Sequence, residues 1–429
     1  MDTIYLLAGL LAYVLAGRVV MRRLTGGVRE TALAVLNVAG VFFFLFYGNK
    51  EHYALRFGLY VALVAGLYLM VWLFAEKRGA WPWLAFFAPI AALIVVRYVP
   101  GSVYVELGRA LGKTWRGVPN MVGISYLAFR CSRLVLEVRN GVAKKPNFLE
   151  YLNFAFFLPT MPVGPINSYA NFRRGFETQV PAPVGTGEGG RRPDEGGEGN
   201  TAPYNVPAGR AALRILVGAV KYQFLGSLCN QLTYAGLLLD DHPHHWIDLP
   251  VAVLFFYLYL YCNFSGFCDM AIGAAGLIGI PVPENFDNPF AARNVKDFWN
   301  RWHITLSLYM RDVVFSPLSK FLVRRAGPAL ADHAIALTIV IVFLLIGIWH
   351  GVGWNFAAYG AAHALGVVTN HYYTIWLKKR LGREGFKAYN ANPWIRAVAV
   401  ALTFCYCAAT LFLFANTFPG MKEILSILR

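Results

Sequence analysis

Apolar runs long enough to cross a bilayer recur along the whole chain, at residues 3–20, 31–48, 57–75, 83–98, 121–137, 147–163, 210–237, 248–279, 333–350, 354–377 and 395–416. A span needs about 20 mostly apolar residues, and inside lipid its backbone groups must be satisfied within the segment, which makes each run a helix. The pattern predicts an all-α, polytopic membrane protein of about eleven transmembrane helices, organised as one domain over residues 1–429. The run at 248–279 is long for one span, and Gly266 marks the expected break in it. The run at 3–20 has no basic residues ahead of it and no small-residue cleavage site behind it, so it reads as a retained span rather than a signal peptide. At 181–203 the pattern lapses into PAPVGTGEGGRRPDEGGEGNTAP, which has too little apolar surface to order itself and reads as a disordered loop without chemistry.

Two places carry polar residues that simple spans do not explain. Placed at about 100° per residue, the segment 281–312, PVPENFDNPFAARNVKDFWNRWHITLSLYMRD, sets Lys296, Asn300, His303, Ser307 and Arg311 on one stripe and Phe298, Trp302, Leu306, Tyr309 and Val313 opposite. This predicts one amphipathic helix, with Lys296 and Arg311 suited to snorkelling and His303 placed to line a wet vestibule. The second place is the apolar run 335–349, fifteen residues with Thr338 as its single polar side chain, which ends in His350, Gly351, Val352 and Gly353. Such a run rises about 22 Å, less than the roughly 30 Å hydrocarbon core, so His350 and the adjoining Trp349 fall within the membrane profile. An ionisable residue at that depth is a functional candidate by default; the alternative is a histidine that caps its helix through a backbone carbonyl. Asp269, inside NFSGFCDMAIG, must be paired or wet for the same reason, with Asn263 and Ser265 as the expected partners. His363 follows Gly360, Ala361 and Ala362 and reads as part of a close helix contact.

Composition narrows the class. The chain is 57% hydrophobic and 14% charged, against roughly 45–50% and about 25% in soluble domains, which excludes a soluble multidomain protein. Lys and Arg number 39 and Asp and Glu 23, a net charge of +16. The cations cluster at 18–29, 77–78, 144–145, 324–325 and 378–383, between apolar runs, as cytoplasmic loops facing anionic lipid do. They do not line an aromatic-studded face, so nucleic acid is not an expected partner; the lipid bilayer is, and an acidic protein on the cytoplasmic side fits the same charge. Six cysteines show neither paired metal spacing nor a disulfide framework, and the run His242, His244, His245 reads as a polar loop, so no metal site is expected.

The stretches GISYLAFRCSRLVLEVRNG (123–141), PTMPVGPI (159–166), NFSGFCDMAIG (263–273), PENFDNPFAARNVKDFWNRWHITLSLYMRD (283–312) and GIWHGVGWNFAAYGAAH (347–363) together resemble the membrane-bound O-acyltransferases. That resemblance implies spans with re-entrant or interfacial helices around a central funnel, and acyl transfer from a thioester to a hydroxyl. It implies that the histidine of the WHG element, His350, is catalytic and that the histidine of the RWH element, His303, is its upstream partner. Asn300, Ser307, Arg311, Asp269, Ser265 and Trp349 then become substrate-tunnel candidates. The NVKDFWNRWH wording, the FRCSRLVLEVRNG segment and the 47 residues from His303 to His350 look more similar to the branch that D-alanylates teichoic acid. The alginate- and cellulose-type O-acetylating branch usually carries a Gly-rich stretch where this chain has VVFSPLSKFLVRRAG.

On the D-alanyl reading the implied donor is a thioester on the phosphopantetheine arm of a small acidic acyl carrier protein on the cytoplasmic side, and the implied acceptor is a hydroxyl of an envelope polymer such as teichoic acid. On the O-acetyl alternative the donor is acetyl-CoA and the acceptor an exopolysaccharide. No tightly bound cofactor is implied on either. Val313, Val314, Phe315, Pro317 and Leu318, with Arg324 and Arg325, form the expected carrier-docking surface, although the apolar members suit lipid contact equally. The implied location is the bacterial plasma membrane, with small membrane or extracytoplasmic accessory proteins as further partners. His350 suits a general base, because an imidazole titrates near neutrality, and His303 a residue that orients the acceptor or the thioester carbonyl. No G-x-S-x-G elbow is present, and orientation of the reactants can replace a covalent intermediate. A proton-coupled transporter or flippase is the competing class, weakened by the lack of inverted repeats.

Overall fold

The structure, a computed structural model, describes residues 3–47, 53–99, 123–177, 206–238 and 244–428, with side chains from residue 8 onward. The loop expected at 181–203 lies outside the described residues. Among them the regular elements are all helical, and seven helices are long and apolar enough to cross a membrane: Gly26–Tyr47, Tyr53–Phe74, Trp81–Tyr98, Ala208–Asn230, Asp248–Ile278, Pro328–His350 and Pro393–Ala415. The class is the expected one, all-α and polytopic.

Two of the eleven expected spans have identifiable reasons for dropping out. The run at 121–137 becomes the 16-residue helix Ile124–Arg139, whose Arg130, Ser132 and Glu137 are all buried. Such side chains need protein rather than lipid around them. The run at 147–163 is helical only over Phe148–Ala155, started by a capping box between Asn147 and Glu150 and followed by a 3₁₀ turn at Leu158–Thr160. Gly266 does not break its helix: Asp248–Ile278 runs 31 residues without interruption. A methyl group at Gly266 would lie 2.7 Å from the Gly218 carbonyl oxygen, so the glycine serves a close helix approach instead.

The described residues fall into two compact units, one comprising Met1–Leu216 and Met270–Pro283, the other Val217–Asp269 and Glu284–Arg429. In the first, polar side chains join helices where lipid offers no alternative partner. Tyr13 donates to Asn37 Oδ1, Asn37 Nδ2 donates to Asn153 Oδ1 at 3.0 Å, and Asn153 Nδ2 donates to the Glu30 carbonyl at 2.9 Å. Glu137 accepts from Arg133 at 3.1 Å and from the Ala170 backbone N–H at 2.9 Å, which satisfies an orphan donor at the start of the helix Tyr169–Glu177. The fully buried Arg130 guanidinium lies over the Phe154 ring, 4.6 Å from its centroid.

In the second unit, Ala331–His350 packs against the helix Trp354–Ala391 through two glycines. A methyl at Gly347 would meet the Phe356 carbonyl, and one at Gly360 the Phe343 carbonyl, so each backbone sits against the other where a side chain would stand. The close helix contact expected around 360–363 is present. Gly382, with φ +64°, interrupts the helical conformation within Trp354–Ala391. Asn392 starts the next helix, its Oδ1 accepting from the Trp394 and Ile395 backbone N–H groups.

Candidate functional site

The segment 281–312 holds an extended stretch, a 3₁₀ turn at Pro289–Ala291 and two short α-helices, and not the single amphipathic helix that the periodicity predicts. Asn294 caps the first, Val295–Trp299, by accepting from the Asp297 N–H at 2.9 Å. The chain then turns, and His303 takes φ +47°, a left-handed conformation rare outside glycine, before the second helix, Ile304–Met310, begins. Pairing with the upstream strand-like segment forces this turn: Asp287 N–H donates to the Arg301 carbonyl at 2.9 Å, Ile304 N–H donates to the Asn285 carbonyl at 3.0 Å, and Phe286 bridges Trp302. These bonds satisfy backbone groups that a continuous helix would have paired internally.

The polar stripe is consequently split. Lys296, Asn300 and Arg311 are exposed, Arg311 pairs with Asp312 at 2.9 Å, and Ser307 is half-buried with no hydrogen-bond partner for its Oγ. His303 turns the other way and is 3% exposed. On the opposite face Phe298, Trp302, Leu306 and Tyr309 are buried as the pattern predicts, while Val313, in the π-helical turn Arg311–Phe315, is half-buried.

His303 and His350 come together around one indole. Trp349 lies 6.3 Å from His303 and 4.6 Å from His350 between ring centroids. Phe264 packs edge-on to His303 at 4.8 Å, while Phe414 and Tyr359 stand at 5.1 and 5.9 Å from His350. His350 is the last residue of its helix, and Gly351 follows because any side chain there would collide with the Phe356 ring. On His303 the Nδ1 atom lies 3.1 Å from Asn285 Oδ1. Burial, with the charge of His350 as the lesser cause, pushes the His303 imidazole down to about 3. An unfolded imidazole titrates near 6.5, so between those values the unfolded chain binds a proton that the folded one does not. The contribution of this histidine to stability is therefore intact above about pH 6.5 and is lost progressively as pH falls below it.

Other candidates lie apart from that pair or have different partners. Asp269 is paired, but with Lys221 at 2.7 Å and not with Asn263 or Ser265 as the sequence suggested. Lys221 belongs to a π-helical turn, Val220–Leu225, and its separation of 48 residues from Asp269 hid the pair from local reading. Ser265 is buried, and its Oγ has no hydrogen-bond partner. In the proposed docking surface Val313, Val314, Phe315 and Leu318 are half-buried, while Pro317, Arg324 and Arg325 are exposed. A concavity of about 490 Å³ is lined by Pro317, Lys320, Phe321, Arg324 and Arg325, which adds the exposed ring of Phe321 to the residues named from the sequence. Among the described residues no group of three His, Cys, Asp or Glu side chains could hold a metal ion.

Sequence reading also missed the network that anchors the first short helix. Trp299 Nε1–H donates to His363 Nδ1 at 3.2 Å, which leaves the proton of the neutral ring on Nε2, 3.0 Å from Thr410 Oγ1. Thr410 passes its own proton to the Cys407 carbonyl at 2.8 Å. An indole can only donate, so the tautomer of His363 is fixed, and this histidine ties Val295–Trp299 to the two long helices behind it. A tryptophan and a histidine on facing apolar surfaces were the available signal.

With this geometry in place, comparison with known proteins decides the family. Residues 114–412 match the model of the membrane-bound O-acyltransferase family. The chain belongs to that family. It is 29% identical over 359 residues to a teichoic acid D-alanyltransferase of Streptococcus thermophilus, covering 78% of this chain and 77% of the relative. It is 28% identical over 299 residues to a teichoic acid D-alanyltransferase of Bacillus subtilis, 69% of each chain. A protein of Azotobacter vinelandii named as a probable alginate O-acetylase matches at 26% over 243 residues, 56% of this chain and 42% of the relative. The chain is thus a multi-pass membrane acyltransferase.

The backbone at position 303 makes a pair of variants informative. Asparagine tolerates a left-handed φ better than most residues and its amide both donates and accepts, whereas alanine does neither. In an acyl-transfer assay His303→Ala should lose at least about tenfold and His303→Asn should retain part of the difference. Equal activity in wild type and both variants would reduce His303 to a packing residue.

Proposed function

We propose that this acyltransferase moves D-alanyl groups from a carrier-bound thioester to a hydroxyl of an envelope polymer of the teichoic acid type, at the bacterial plasma membrane. The observation that carries the reading is the meeting of His303 and His350 around Trp349 in a member of a family that transfers acyl groups. The D-alanyl choice is supported by relatives of that name matching over 69% or more of both chains, against 42% of the alginate O-acetylase.

In this mechanism His350 takes the proton of the acceptor hydroxyl as its oxygen attacks the thioester carbonyl. The C–O ester bond forms, the C–S bond breaks, and the proton passes from His350 to the departing sulfur, so charge and atoms balance. General base catalysis of this kind contributes about 10²–10⁴-fold, and fixed orientation of the two reactants supplies more of the barrier reduction. Of the polar stripe, Ser307, with its half-buried Oγ otherwise unpartnered, is the candidate left to meet the substrates. The carrier, an acidic protein with a phosphopantetheine arm, docks on the cytoplasmic face at Arg324, Arg325 and the apolar residues Val313, Val314, Phe315, Pro317 and Leu318.

The test is reconstitution of the purified protein in liposomes with two donors, a D-alanyl-loaded acidic carrier protein and acetyl-CoA, and a polyol phosphate acceptor. Ester formation from the D-alanyl carrier is the expected result. Transfer from acetyl-CoA alone would replace this reading with O-acetylation. The docking surface makes a separate forecast. Arg324→Glu with Arg325→Glu should slow carrier association, in a manner that weakens with salt, because exposed charges are screened beyond about 8 Å at physiological ionic strength. Val314→Asp or Phe315→Asp should instead hasten dissociation, since each leaves a desolvated carboxylate without a partner. Binding that ignores salt and both kinds of change would remove the carrier from this face.

A further inference from the structure

Asn285 is 1% exposed and does more than fill space beside His303. Its Oδ1 lies 3.1 Å from the Thr305 backbone N–H, 2.8 Å from Thr305 Oγ1 and 3.1 Å from His303 Nδ1, while its Nδ2 donates to Cys268 Sγ at 3.3 Å. A backbone N–H can only donate, so it fixes which end of the amide faces residues 303–305; a flipped amide would set donor against donor. The oxygen so placed can only accept. The nearest nitrogen of the imidazole must then carry the hydrogen, and in a neutral ring the other nitrogen holds a lone pair.

We propose that Asn285 is a positioning residue that locks His303 in the Nδ1–H tautomer and so makes its Nε2 a pure hydrogen-bond acceptor for an O–H or N–H group of the substrates. This rests on the reading of His303 as part of the acyl-transfer site, and it separates the two roles that sequence alone left open. A lone pair cannot polarise a thioester carbonyl, which needs a donor. It can hold a hydroxyl of a polyol acceptor, or the ammonium that a D-alanyl donor carries and an acetyl donor lacks. Burial assists, because it keeps the ring uncharged over the working pH range. The left-handed φ of His303 is held by the same residue, whose carbonyl accepts from the Ile304 N–H at 3.0 Å.

The tautomer can be read in the resting protein without substrate, by ¹⁵N NMR of histidine-labelled protein in detergent, with the His303 signal assigned by its loss in His303→Asn. A protonated Nδ1 and bare Nε2 are expected; the reverse would overturn the proposal whatever reaction the enzyme catalyses. Activity tests the consequence. Asn285→Leu should lower kcat at least about tenfold. Asn285→Asp still accepts from Thr305 and Nδ1, but its charge draws a second proton onto the ring, as a neighbouring opposite charge shifts a titration by about 1–3 units. The acidic limb of its pH–rate profile should therefore move to higher pH, with activity recovering on the alkaline side. A merely structural Asn285 would lower the yield of folded protein and leave that limb where it is in wild type. Comparing D-alanyl and acetyl thioesters on His303→Asn separates the two sources of the donor group: a loss confined to D-alanyl donors assigns the ammonium, an equal loss the acceptor hydroxyl, and no loss with either overturns the contact.

Discussion

His350→Ala is expected to reduce acyl transfer by about 10²–10⁴-fold, the range for loss of a general base, while the protein still inserts and purifies as wild type does. The expectation of intact folding has a local reason. His350 is the C-terminal residue of Ala331–His350, alanine is a good helix former, and the ring contacts of His350 to Trp349, Phe414 and Tyr359 lie at that end of the helix and not within its length. Removing one partly buried side chain at a helix end leaves Gly347 and Gly360, which set the helix pairing, untouched. The measurement is transfer of a labelled acyl group from thioester to hydroxyl acceptor by purified wild type and variant, alongside size-exclusion profiles of both. A monodisperse His350→Ala protein with near-normal turnover would remove His350 from the chemistry.

The second large effect concerns the helix pair that holds His350 in place. Gly360→Val puts a branched side chain where even a methyl group would run into the Phe343 carbonyl oxygen. Overpacking a core commonly costs about 1–3 kcal/mol, and here the obstacle is backbone, which cannot rotate away as a side chain does. The two helices must separate, and with them His350 and the tyrosine and phenylalanine beside it. We expect most of the variant to be lost as aggregate, and the folded remainder to have a lower thermal midpoint in detergent and little activity. Gly58→Ala is the matched control, since a methyl at Gly58 meets nothing within 4 Å; it should behave as wild type. Equal thermal midpoints for Gly360→Val and Gly58→Ala would show that the helices have slack that their carbonyl contacts do not suggest.

The positions that were legible in the sequence are those whose physics is local or compositional. Long apolar runs can only be helices inside lipid, so the spans Tyr53–Phe74, Trp81–Tyr98 and Pro393–Ala415 are found close to where the runs place them. Where a run contained buried charge the same reasoning overreached, because composition does not tell whether Arg130 and Glu137 face lipid or protein. The apolar side of 298–309 was read correctly from a helical period, since Phe298, Trp302, Leu306 and Tyr309 are buried. The helix itself was not continuous. Periodicity registers which residues are apolar but not that Asn285 and Asp287 supply the backbone partners that allow the chain to turn at His303.

The sequence by itself determined the class of the protein, its many helices and the two histidines worth naming, because hydrophobic burial in lipid and the cost of an ionisable group there depend on residue type and run length alone. Only the tertiary structure decided how those histidines are set. Trp349 contacts rings 47 residues apart in the chain, Lys221 answers Asp269 across 48 residues, and Asn285 fixes the proton of His303 from 18 residues away. Hydrogen-bond partners, tautomers and helix contacts are properties of distance and direction in space, and a linear pattern of polar and apolar residues carries neither.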